Sequence, residues 1–184
     1  MNKYFFATLG GLLLISSMAK AENVYVPYLG LNAVYNKASN RQVKPEYYGA
    51  SVRLGTSYNR YFGTEIFYTQ VGSDTKKISA LEKDKTSYRA YGLDMIVYAP
   101  ICSSSLNLMA TGGVGTYVLN EKKTGVSHAS DEGYGYRFGG GMLYNITPAL
   151  SLELVARYIN FDHISNIDHM AEYALGFRYN FVKD

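Results

Sequence analysis

The stretch "EYALGFRYNFVKD", residues 172–184, decides the fold. Taken in steps of two, it places Tyr173, Leu175, Phe177, Tyr179 and Phe181 on one side and Glu172, Ala174, Gly176, Arg178 and Asn180 on the other. Successive side chains of a β-strand point to opposite faces of the sheet, so this is a strand with one wholly apolar face. Its other face carries single charges set among alanine and glycine. A soluble sheet would instead clothe that face with long, lysine-rich side chains.

The same period of two recurs along the chain, and it predicts eight strands, near 24–35, 47–58, 62–71, 87–98, 106–119, 133–144, 150–160 and 170–181. Most are longer than the ~5–6 residues of an ordinary globular strand and match the ~9–11 residues of a tilted membrane-crossing one. Connections alternate as well. Residues 36–46, 72–86, 120–132 and 161–169 are long and polar, whereas 59–61, 99–105 and 145–149 are short. Four long loops on one rim, with three short turns and both termini on the other, describe an even-stranded antiparallel barrel with its long loops outside the cell.

Within the strands, Tyr134, Tyr136, Phe138, Met142 and Tyr144 oppose Gly133, Gly135, Arg137, Gly139 and Gly141, and Tyr48, Ala50, Val52 and Leu54 oppose Gly49, Ser51, Arg53 and Gly55. Tyrosines gather at strand ends, where an aromatic girdle would meet the two lipid interfaces. With 19 Tyr, 18 Gly and 8 Phe against 4 Pro and no Trp, the composition favours strands and close backbone packing. In hydrocarbon every backbone polar group must be paired, so such a sheet spans only when closed. The fold expected is all-β: an eight-stranded antiparallel up-and-down transmembrane β-barrel.

The first residues, "MNKYFFATLGGLLLISSMAKA", combine Lys3, an apolar run from Phe5 to about Met18 and the small-x-small end Ala19-Lys20-Ala21. That pattern predicts a secretory signal peptide over 1–21, cut after Ala21, and a barrel domain over 22–184. Loss of Lys3 and Lys20 lowers the formal charge from +3 to nearly neutral, which gives no reason to expect a nucleic-acid partner. The single cysteine, Cys102, has no partner in the chain and falls in a short turn.

On the inward face the charged positions are Arg53, Glu65, Asp94, Arg137, Glu153, Arg157, Glu172 and Arg178, four basic and four acidic. An eight-stranded barrel is only wide enough inside for side chains, so these groups are expected to pair in a salt-bridge network that plugs the lumen. Arginine suits such multidentate pairs, and no lysine falls on an inward position. Pairs able to exchange would instead make a small ion-conducting channel. Inward glycines are expected to make room for arginine and tyrosine side chains, and "GGVG" and "GGG" lack the strand-turn-helix setting of a phosphate loop.

Only "FDHISNIDH", residues 161–169, looks enzymatic. His163-Ile164-Ser165-Asn166 resembles the His-x-Ser-Asn motif of lipid A deacylases, and the resemblance implies His163 as base, Ser165 as nucleophile and Glu172 as orienting acid. Against it, the register of the preceding strand carries His163 and Ser165 to the lumen side rather than to the lipid, and Ser165 stands closer to Glu172 than that family's spacing. His163, Asp168 and His169 lack the spacing of a metal site. No enzyme activity, cofactor or metal is expected.

"VYVPYLGLNAVYN", "YFGTEIFY", "ITPALSLELVARYINF" and "GFRYNF" together resemble small outer-membrane barrels of the opacity-protein, OmpA transmembrane-domain and OmpX-Ail type. The resemblance implies a monomeric single-barrel member in the outer membrane of a Gram-negative bacterium, without a periplasmic peptidoglycan-binding domain. It implies a structural or adhesin-like role through four extracellular loops, with lipopolysaccharide, other outer-membrane lipids and a host or surface ligand as partners. Insertion machinery would read the last strand at Tyr179 and Phe181, and the extra Val182-Lys183-Asp184 departs from members that stop at the aromatic residue.

Overall fold

In the computed structural model the structure describes residues 25–39, 46–73, 76–79, 82–101, 105–122, 129–162 and 169–181. Among the described residues nine strands follow one another: β1 Val26–Ser39, β2 Glu46–Ser57, β3 Phe62–Ser73, β4 Lys76–Ser79, β5 Glu82–Ile101, β6 Leu106–Lys122, β7 Ala129–Asn145, β8 Leu150–Asp162 and β9 His169–Asn180. All pairings are antiparallel. The sheet runs β3-β2-β1-β9-β8-β7-β6-β5, and β3 pairs with β5 to close it. This is a closed eight-stranded barrel. The ninth strand, β4, is four residues long and pairs only with the first residues of β5, prolonging that hairpin beyond the barrel proper.

The strands outrun their expected ends chiefly towards the long loops. β5 begins at Glu82 rather than near residue 87, and β7 begins at Ala129 rather than near 133. Hairpin pairing continues there through polar residues such as Asn120↔Ser130, whose composition reads as loop. At the other end the turns are tight. The Asn59 side-chain oxygen accepts from the Tyr61 and Phe62 N–H groups at 2.8 and 2.9 Å, closing the β2–β3 hairpin. Both ends of the barrel chain meet at the short-turn rim, where the Phe181 N–H donates to the Pro27 carbonyl at 2.8 Å.

Register fixes the stagger. From Glu153 the pairing runs through Gly176, Asn32, Ser51, Thr69, Ala90 and Tyr117 to Gly133, whereas Glu153 also pairs directly with Leu143 on the same strand β7. One circuit therefore advances ten residues along β7, a stagger that tilts the strands about 35–45°.

Alternation sorts the chain as its period requires. Leu31, Val52, Leu54, Ile66, Phe138, Leu175 and Phe177 are exposed on the outside, while the intervening positions are buried. Outer aromatic residues meet near both rims: Tyr35 lies between Tyr48 and Tyr173 at the long-loop end, and Tyr25–Tyr58 and Tyr179–Phe181 form edge contacts at the short-turn end. Not every tyrosine belongs to these girdles. Tyr28, Tyr47, Tyr88, Tyr98 and Tyr117 are buried inside.

The interior is layered. At the long-loop end Val34, Tyr47, Phe67, Val71, Tyr88, Leu119, Ile159 and Met170 belong to one apolar cluster. Towards the short turns Tyr28, Ile96, Tyr98, Met109, Leu143 and Val155 form a second. Between them lies a belt of charge.

Candidate functional site

The belt is built from alternate positions of five strands: Arg53 on β2, Glu65 on β3, Asp94 on β5, Arg137 on β7, and Glu153 and Arg157 on β8, joined by Glu172 from β9. All seven are buried. Room comes from the neighbouring strands. Across the pairing Arg53 faces Gly30, Glu65 faces Gly55, Asp94 and Arg137 both face Gly113, Glu153 faces Gly176 and Arg157 faces Gly139. A Cβ at Gly113 would run into the Asp94 carboxylate and the Leu93 carbonyl, and one at Gly30 would stand 2.9 Å from the Arg53 guanidinium. Glycine opposite charge is thus a packing requirement of the narrow lumen.

Three arginines connect the carboxylates. Arg137 grips Asp94 with two donors, Nε to Oδ1 at 2.8 Å and Nη2 to Oδ2 at 2.5 Å, while its guanidinium covers the Phe67 ring at 3.2 Å. Such a fork is the strong form of ion pair, because both donors and both acceptors are aligned. Arg53 donates from Nη1 to Glu153 at 2.5 Å and to Glu65 at 3.3 Å, and from Nη2 to Asn32 at 2.8 Å. Arg157 is the hub: it donates to Glu172 at 3.0 Å and lies 3.6 Å from Glu65 and 3.8 Å from Asp94. The Arg157–Glu172 pair spans directly bonded register partners on β8 and β9.

Arg178 stands apart. Among the described residues no carboxylate pairs with it, contrary to the expectation that it joins the network. Its register partners Gly30 and Ser151 put it towards the short turns, where Nε donates to Asn180 at 2.9 Å, Nη1 to the Tyr98 hydroxyl at 2.6 Å and Nη2 to the Ser57 hydroxyl at 2.5 Å. Its guanidinium also covers the Tyr28 ring at 3.5 Å. Tyr28 in turn donates to Glu65 at 2.8 Å, so it lies between Arg178 and the belt.

Counting charges does not reach Tyr28, Asn32, Ser57, Phe67 and Tyr98, which complete these contacts. Each stands at an inward position of its strand, and that parity is the signal the sequence offers for them.

Of the residues considered for hydrolysis, His163 and Ser165 lie outside the described residues, as does Asp168, while Glu172 is engaged by Arg157. His169 stacks on Tyr158 at 5.3 Å outside the barrel, on the face opposite to Glu172. Among the described residues no group of three His, Cys, Asp or Glu could hold a metal ion. Tyr179 and Phe181 are exposed on the outer face. The expected signal peptide, Cys102 and Val182-Lys183-Asp184 lie outside the described residues.

A closed barrel with an apolar outer wall, aromatic rims and its charge turned inward is a membrane-spanning β-barrel. The family model describing the outer membrane protein beta-barrel domain matches residues 6–181, and the chain belongs to that family. The outer membrane is therefore its setting. Solved structures share the fold. Neisserial surface protein A superimposes with a TM-score of 0.72 at 16% identity, over 84% of this chain and 97% of that one. A major outer membrane protein of Thermus thermophilus gives 0.67 at 11% identity, over 86% and 100%. Ail, the attachment invasion locus protein of Yersinia pestis, solved in complex with the heparin analogue sucrose octasulfate, gives 0.61 at 14% identity, over 88% and 100%. No curated protein sequence matches the chain.

Proposed function

We propose that the protein is a closed-lumen outer-membrane barrel that acts through its four extracellular loops, in a structural or adhesin-like role, and catalyses no reaction. The observation that carries this is the layering of the interior. An ion crossing the lumen would have to leave water at one apolar cluster, break the Asp94–Arg137 and Arg157–Glu172 pairs, and pass a second apolar cluster. Apolar constrictions oppose ions by dewetting, and opening a buried pair exposes uncompensated charge. With the lumen so occupied, the surfaces left to meet a partner are the loops and the lipid wall.

The hairpins at the long-loop end carry Lys76, Lys77, Lys83, Lys85, Lys122 and Lys123 in sequence among acidic and small polar residues. Lysine there suits the phosphates of lipopolysaccharide or a sulfated surface ligand of the kind present in the Ail complex. During assembly the insertion machinery would engage Tyr179 and Phe181. Phe181→Ala should lower the folded yield in the outer membrane more than deletion of residues 182–184, as read by the fraction of heat-shifting protein.

The test has two arms. Residues 74–81 and 123–128 are replaced by short turns, and binding to lipopolysaccharide and to host cells is measured on variants that still shift on a gel when heated. Loss of binding with the barrel intact supports loop function, and unchanged binding removes it. In planar bilayers the wild type, Glu153→Ala and Arg157→Ala should all be silent. Discrete conductance steps in the wild type would replace the closed lumen with a channel.

A further inference from the structure

We propose that a trough on the outer wall of the barrel seats one acyl chain of an outer-leaflet lipid, with the lipid head at the long-loop rim. It rests on the outer-membrane setting and is independent of loop function.

The trough has a volume of about 770 Å³ and crosses β5, β6, β7 and β8 between two cross-strand rows of outward side chains. Its lower wall is the paired row Ile66–Leu93–Val114–Tyr136–Asn160, and its upper wall is Tyr91–Thr116–Tyr134–Asp162. The floor is backbone, along the paired glycines Gly92, Gly115 and Gly135. Beneath them the sheet lies close on buried rings. A Cβ at Gly92 or Gly115 would stand 2.8 Å from Phe67, and one at Gly135 would stand 2.8 Å from Tyr117. With no inward side chain to hold them off, three strands settle on the rings and leave the depression outside.

Two features select the occupant. The first is inclination. Ile66 is four residues beyond the start of β3 at the short-turn rim, whereas Asn160 is ten residues beyond the start of β8 and two from its end, so the trough climbs from mid-barrel to the long-loop rim. Strand tilt of about 35–45° gives the cross-strand row the same slope to the membrane plane. The second is polarity. The low end is Ile66, Leu93 and Val114, and the high end is Tyr134, Asn160 and Asp162, with His169 paired beside Asn160. A site that is apolar in the bilayer core and hydrogen-bonding at the interface fits an amphiphile in its normal orientation. The volume lies within the ~300–1,000 Å³ of small-molecule sites.

Native mass spectrometry of the full chain in detergent, with added phosphatidylethanolamine carrying sixteen-carbon chains, tests this. The wild type should retain a single lipid at activation energies that strip the detergent. Val114→Trp, and separately Leu93→Trp, should each fill the trough and lower retention at least tenfold. Leu154→Trp, on the outer face of β8 away from the trough, should keep the lipid. Each variant is first shown to be folded by its heat shift. Retention of none by the wild type, equal retention by the trough variants and Leu154→Trp, equal loss by all three, or a dimer mass in place of a lipid adduct would each overturn the proposal.

Discussion

Two regions of the same lumen satisfy arginine in different ways. In the central belt three guanidiniums share four carboxylates, and Arg137 holds Asp94 with a fork of two charged hydrogen bonds. Nearer the short turns the partners of Arg178 among the described residues are neutral, Asn180, Tyr98 and Ser57, together with the face of Tyr28. The belt alone is one negative charge in excess, and Arg178 is the cation that offsets it. Tyr28 joins the two, with its ring under Arg178 and its hydroxyl on Glu65. Neutrality is therefore a property of the whole lumen, whereas hydrogen-bond satisfaction is local, and the two should respond differently to mutation.

The largest difference is expected from breaking the belt. Asp94→Ala leaves the Arg137 guanidinium buried without its forked partner, at a cost of about 3–5 kcal/mol. Urea unfolding in detergent micelles, followed by the heat shift on gels, measures it. Replacing both partners, Asp94→Leu with Arg137→Met, removes the uncompensated charge along with the pair and should recover most of that loss. A double variant as unstable as the single one would show that shape, and not charge, holds the centre.

At the other region Arg178→Met should cost less, about 1.5–3 kcal/mol, the worth of hydrogen bonds from a charged donor. The groups it deserts are neutral, and Asn180 retains its contacts to Ser151 and the Pro148 carbonyl. If Arg178→Met proved as damaging as Asp94→Ala in the same urea series, Arg178 would have to be counted a member of the belt through Tyr28.

How far the lumen is legible follows from the same contrast. Period two sets the face of every residue in a closed sheet, so the inward positions of all eight charged side chains can be read from the sequence. Which of them touch depends on the ten-residue stagger, and no single strand encodes that. Arg178 illustrates the gap: in sequence it belongs with Glu172 on one face of β9, but along the barrel axis it has moved from the belt to the layer of Tyr28 and Tyr98. The apolar layers are equally present as parity, in Val71, Ile96, Leu143 and Ile159, yet counting charges passes over them. Strand ends are least legible, because β5 and β7 extend into polar hairpins whose pairing depends on the neighbouring strand and not on their own composition.

Glycines give the smallest and sharpest comparison. Gly113 faces Asp94 and Arg137 from the neighbouring strand on each side, and an added Cβ would collide with the Asp94 carboxylate and with backbone that cannot withdraw. Gly113→Ala should cost about 1–3 kcal/mol, the usual penalty of overpacking a filled core. Gly72 lies on the outer face near the end of β3, and a Cβ there meets nothing within 4 Å. Its backbone is already extended and paired between Tyr48 and Ser87. Alanine at that position narrows the unfolded chain without disturbing the folded one, so Gly72→Ala should stabilise by about 0.4–1 kcal/mol. The opposite signs separate two uses of glycine in this barrel: beside the belt it is a space reserved for charge, while on the outer rim of β3 a methyl group can replace it. Equal destabilisation by both substitutions in the urea series would mean that strand coiling, and not room for the belt, sets the need for glycine.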